Sequence, residues 1–214
     1  LEDLYNAPAA SSMRTGRMTM DDVVTRTAML FTVLLVTGAF AWTANLGGGA
    51  LMGSLIGATV LGMVIVFSRK VRPALILVYA ALEGIVLGTI SAVYETVYPG
   101  IVSQALIATA VAFAGVLFAY RSGKISISAR ATKIATGAII GYLILGVINL
   151  IGGNFIFNGT FGPLVAVFGV GLATFFLALD FDQAAKAVAI GVPQEESWRV
   201  GFGMMVSVVW LYLE

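Results

Sequence analysis

Two stretches of this chain, Thr27 to Ser68 and Ile134 to Leu179, contain no charged residue at all. Each is long enough for two membrane spans of about 20 residues. Glycine clusters or an Asn/Gly/Pro turn divide each stretch into two. A chain that is 59% apolar and 11% charged, with a mean hydropathy of +0.99, is far from the roughly 25% charged residues of soluble domains. The expected fold is an all-α integral membrane protein with seven transmembrane helices.

The spans expected are about Ala28 to Ala44, Leu51 to Phe67, Pro73 to Tyr94, Ile101 to Tyr120, Ile134 to Ile151, Pro163 to Asp180 and beyond, and a last one from Glu195 to Glu214. All 12 Lys and Arg residues fall before the first span or in alternate connections. Arg14, Arg17 and Arg26 lead in, and Arg69, Lys70 and Arg72 follow the second span. Arg121, Lys124, Arg130 and Lys133 follow the fourth, and Lys186 and Arg199 flank the turn after the sixth. Because Lys and Arg collect in short cytoplasmic loops, the N-terminus is expected inside, with the protein in an inner cell membrane. The chain closes within an apolar segment, so the last helix is expected to continue past Glu214. Residues 1–17 read as a flexible cytoplasmic tail without the pattern of a signal peptide, and residues 18–214 as one seven-helix transmembrane domain.

Composition also excludes. With no Cys and no His, the chain has no disulfide, thiol nucleophile, imidazole base or usual zinc or haem ligand. A net charge of +1 without a broad basic surface excludes nucleic acid as a partner. Locally, Thr19-Met20-Asp21-Asp22 is a T-x-x-D capping signal at the first helix, and Pro73 suits the first turn of the third. Gly53, Gly57 and Gly62, and again Gly137, Gly141 and Gly146, read as close-packing faces. The Asn158-Gly159-Thr160 triplet reads as turn chemistry rather than a glycan site.

The acids inside the spans carry the functional information, because a carboxylate at bilayer depth costs roughly 2.5 to 3.5 kcal/mol on insertion scales. Glu83, Asp180 and Glu214 stand out. Glu83 lies about 15 Å beyond Pro73 along the helix, near mid-bilayer. It reads either as a neutral acid bonded to a Ser, Thr or Tyr of a neighbouring helix, or as an ion or proton site. Asp182 stands one turn before Lys186 and reads as a solvated ion pair. Asp180 and Glu214 are candidates for a proton-sharing or Ca²⁺-binding pair across two helices. Their depths conflict: Asp180 is about 9 Å from Lys186, and Glu214 about 22 Å from Arg199. They meet only if the seventh helix starts in the cytoplasm or the sixth extends well past Lys186.

The stretches Ala81-Leu82-Glu83-Gly84, Leu179-Asp180-Phe181-Asp182-Gln183 and Trp210-Leu211-Tyr212-Leu213-Glu214, with the charge layout, resemble the Bax inhibitor family of transmembrane proteins, in a bacterial branch. The resemblance covers about Met18 to Glu214. It implies seven helices with the last one central, and a pH-sensitive calcium leak in which acids on the sixth and seventh helices sense protons and calcium. Asp180 matches the first acid and Glu214 the second, with Glu where Asp is usual and a longer connection between them. The resemblance also implies a latch from the sixth-helix acid to an Arg near the start of the third span, for which Arg69 and Arg72 are the candidates.

The expectation for function is therefore a pH-regulated cation leak, with Ca²⁺ the leading ion, or a proton/calcium exchanger. Asp180 and Glu214 are the sensing and candidate metal-holding pair, and Glu83 a buried acid on the permeation path. No enzymatic activity and no resident cofactor are expected, Ca²⁺ and H⁺ being transported or regulatory ions. The alternative is a non-conducting regulator bound to a membrane protease or stress-response partner. The remaining partner is the lipid bilayer, with a monomer expected.

Overall fold

A computed structural model describes residues 16–122, 127–152 and 159–214. Outside the described residues lie most of the expected tail, Lys124 and the first residue of the Asn158 triplet. The described residues form seven helices: α1 (Met20–Thr43), α2 (Gly48–Phe67), α3 (Pro73–Val97), α4 (Ile101–Arg121), α5 (Ala129–Ile151), α6 (Gly162–Ile190) and α7 (Glu196–Leu213). Six of them, α1 to α6, are long and apolar enough to cross a membrane. The seventh is a helix but not a span by that measure. Glu196 and Arg199 occupy its first turns.

Two element starts differ from expectation. Ser128 caps α5, its Oγ accepting from Ala131 N at 3.1 Å, so Arg130 and Lys133 belong to the helix rather than to the loop before it. Gly16 and Arg17, expected in a mobile tail, are held in place. The Met18 amide donates to the Val192 carbonyl at 2.8 Å and the Gln194 amide to that of Gly16 at 2.9 Å, around a bridge of Arg17 with Pro193.

The expected capping box is present at Thr19. The Thr19 amide donates to Asp22 Oδ2 at 2.9 Å and the Asp22 amide to Thr19 Oγ1 at 3.2 Å, two orphan donors satisfied at once. Asp22 Oδ1 takes a further bond, from Gln194 Nε2 at 2.8 Å. Pro73 stands at the first turn of α3, and Gly191, at φ 68°, closes α6.

The residues fall into two compact units. One comprises the chain up to Pro99 together with Ala184–Met205, and the other Gly100–Gln183 with Val206–Glu214. In the first, α3 packs against α1 and α2, most extensively against α1. Glycine makes that approach possible: a Cβ on Gly88 would fall on the Gly38 carbonyl, and one on Gly84 on the Thr37 hydroxyl and Leu34 carbonyl. Small residues let backbones meet this closely, which is the main source of helix association where lipid is as apolar as the protein. Gly201 of α7 comes near Thr27 of α1 less tightly, where an added Cβ would only crowd the Thr27 hydroxyl and backbone, and the Arg26 guanidinium lies 4.8 Å over the Trp198 ring.

The anticipated glycine faces fare differently. On α2, Gly62 leaves room for the Tyr79 ring and Gly57 for the Leu82 side chain, whereas Gly53 faces open space. On α5, a Cβ at Gly137, Gly141 or Gly146 would meet nothing within 4 Å, so this stripe is no packing face among the described residues. In the second unit, the ring of Phe181 on α6 meets Phe113 and Tyr120 of α4 at 5.6 and 6.0 Å. No residue of α7 from Glu196 to Tyr212 is exposed.

Candidate functional site

The three acids singled out in the spans each have their own partners. In the first unit Glu83 is half-buried on α3, with the Tyr79 phenol, one turn earlier on the same helix, as its polar neighbour. A neighbouring helix was expected to supply that hydroxyl. Helical spacing makes the local choice natural, since residues four apart share a face. Tyr79 is itself fixed from two sides: its ring meets Phe202 of α7 edge-on at 5.0 Å, and Gly62 of α2 clears space for it.

In the second unit Asp180 of α6 accepts a 2.5 Å hydrogen bond from Ser207 Oγ of α7. Glu214 follows directly on α7 and accepts through Oε1 from the Tyr142 hydroxyl of α5 and from Trp210 Nε1 at 2.9 Å. Aromatic rings enclose this second acid: Tyr142 lies 5.8 Å from Trp210 and 6.2 Å from Phe168, and Phe176 6.1 Å from Trp210. Gly169 of α6 makes the space, because a Cβ there would fall on the Glu214 carboxyl group and the Tyr142 oxygen.

Asp180 and Glu214 are thus not a touching pair. Ser207, opposite Asp180, precedes Glu214 by about two turns, or ~10 Å of helix. Gly169, opposite Glu214, precedes Asp180 by about three turns, or ~16 Å. The depth conflict noted in the sequence is settled by the partner: α6 does extend past Lys186 to Ile190, yet the residue this brings opposite Asp180 is Ser207. Among the described residues no group of three or more acids forms a metal cluster.

The remaining candidates lie at the basic end of the helices. Arg72 is the N-cap residue of α3, and Arg69 precedes it in the α2–α3 connection. Asp182 and Lys186 are both engaged by partners. Sequence reasoning did not name Tyr79, Tyr142, Ser207 or Trp210 as site residues. Tyr79 with Glu83 and Trp210 with Glu214 are each one turn apart, a spacing readable in advance. Ser207 and Tyr142 reach their acids only through helix packing.

Chemically, the hydroxyl partners are reversible. Ser207 and Tyr142 donate to a carboxylate and are able to accept from a carboxylic acid, so either protonation state keeps a bond. The Trp210 indole only donates.

A family model described as Bax inhibitor 1 like matches residues 3–214 of the chain. Comparison with curated proteins and with solved structures finds no match.

Proposed function

The chain belongs to the Bax inhibitor 1 like family, and from that premise we propose that it is a pH-regulated cation leak or proton/cation exchanger, with Ca²⁺ as its cargo, rather than an enzyme. The observation that carries this reading is how its intramembrane acids are answered. Asp180 is met by a hydroxyl, Glu83 by a phenol, and Glu214 by a phenol and an indole. Ionisable groups kept at such cost within a membrane mark ion pathways and proton relays.

In this reading Asp180 and Glu214 act as two separate proton-responsive sites, and Glu83 lines the route of the ion. A change of protonation reverses the Ser207 or Tyr142 hydrogen bond and biases the packing of α6 and α7 between two arrangements. The N-terminus lies on the cytoplasmic side of a bacterial inner membrane, as the basic connections favour.

The test is Ca²⁺ flux into liposomes holding the purified protein, measured across a pH series. Asp180→Asn and Glu214→Gln are each expected to change the pH profile. Their combined effect, expressed as a free energy, should add to within about 0.5 kcal/mol, as for sites that share no partner. A profile unchanged in both variants would sink the assignment. Uphill Ca²⁺ movement driven by a pH gradient identifies exchange instead of leak. Absence of flux together with a stably co-purifying membrane protein supports the regulator reading.

A further inference from the structure

The connection between α2 and α3 forms, with the start of α7, a small recess whose wall includes Ile65, Leu75 and Val71 and whose polar groups are Lys70, Arg72 and Arg199. Its shape is held from within. The Ser68 amide donates to the Val64 carbonyl, the Ser68 hydroxyl to the Lys70 carbonyl at 2.9 Å, and Arg199 Nη2 to the Ser68 carbonyl at 3.1 Å. Arg199 is further fixed by Glu196, whose Oε2 lies 3.3 Å from its Nε. Three cationic residues therefore line one small recess, and the one carboxylate paired with any of them, Glu196, meets Arg199 at its Nε.

Lys70 and Arg72 are exposed, and neither side chain has a hydrogen-bonding or ionic partner among the described residues. Like charges brought together beside an apolar wall repel, and an anion relieves that repulsion. The N-terminus of α3, which Arg72 caps, adds its positive dipole end at the same place. The location specifies the kind of anion. Val66 and Phe67, the last residues of α2 and chain neighbours of the lining residues Ile65 and Ser68, are 62% and 83% exposed, and the end of a helix apolar enough to span is where lipid headgroups are to be met.

We propose that the recess formed by Lys70, Arg72 and Arg199 binds the phosphate of an anionic membrane lipid. The charged head meets the three cations, and the lipid's apolar part continues along the exposed end of α2. This differs from the diffuse attraction of basic loops for anionic lipid because the recess is shaped and Arg199 is immobilised in it.

Native mass spectrometry of the whole chain in neutral detergent, with phosphatidylglycerol and phosphatidylcholine as probes, tests this. One phosphatidylglycerol per chain is expected to be retained about thirtyfold more tightly than phosphatidylcholine, the effect of two otherwise unpaired cations near the headgroup. Lys70→Gln with Arg72→Gln should abolish that preference. The exposed pair Arg130→Gln with Lys133→Gln, on α5, should leave it intact. The proposal is overturned by equal retention of the two lipids, by an equal loss in both double variants, or by displacement of phosphatidylglycerol with millimolar inorganic phosphate, which would make the recess a site for soluble anions.

Discussion

A single methyl group separates tolerance from collapse at several positions of this chain. At Gly88 the atom an added Cβ would strike is the Gly38 carbonyl oxygen, which belongs to backbone and has nowhere to go. At Gly53, on a helix equally rich in glycine, an added Cβ meets nothing within 4 Å. Gly88→Ala is therefore expected to destabilise the protein by about 1–3 kcal/mol, in the range of overpacked cores, and Gly53→Ala to stay within about 0.5 kcal/mol. Thermal unfolding in detergent compares the two, and an equal effect would refute the α1–α3 contact. The contact falls on Gly84-x-x-x-Gly88, a spacing not among the glycine faces expected, whereas the stripes expected on α2 and α5 make a partial contact or none. Residue spacing reports that a close approach is available, and only the partner's surface decides whether one is made. The same holds for the acids. Glu83 and Glu214 have partners one turn away on their own helices, which are legible, while the Ser207 bond to Asp180 depends on a register between helices that no local pattern encodes.

Elements are joined here by their ends as much as by their faces. Asp22 closes the capping box of α1, and through Gln194 it also reaches the connection between α6 and α7, where Gly16 and Met18 add backbone hydrogen bonds. One carboxylate thus serves a helix start and the turn beyond another helix's end. Asp22→Ala keeps the Thr19 cap on the backbone amide of residue 22 but removes the reciprocal half of the box and leaves the half-buried Thr19 amide and Gln194 side chain without their acceptor, so it is expected to cost about 1–2 kcal/mol. Hydrogen exchange should quicken at the amides of Met18 and Gln194, and unchanged protection there would show that the backbone bridge stands without Asp22. The cap itself was legible from Thr19 to Asp22. Its second use was not, because Gln194 is remote in sequence and carries no signal of its own. The start of α5 at Ala129 is a milder case, in which the run of basic residues resembles a loop and the Ser128 cap outweighs it.

Over the whole chain the basic residues keep to alternate connections and the helix ends beside them, so class and span order are readable from the sequence alone. The seventh helix is where that reading weakens, because its charged first turns shorten its apolar run. Orientation is open to direct measurement, since the chain contains no cysteine and each introduced thiol is unique. With the N-terminus inside, Ser122→Cys should react with an impermeant maleimide only when the cytoplasmic face is accessible, and Asn45→Cys only from the opposite face. Labelling of both from one side contradicts the alternation.

The carboxyl group of Glu214 has a limited valence left to offer. Both donors that hold it, Tyr142 and Trp210, fall on Oε1, while Oε2 lies against the backbone of Gly169. A divalent ion gripped by both oxygens, as calcium sites often use their carboxylates, would have to evict a phenol and an indole that cannot turn acceptor. A proton asks for one oxygen only. Denticity alone therefore sets Glu214, in this arrangement, against a bidentate grip on a cation.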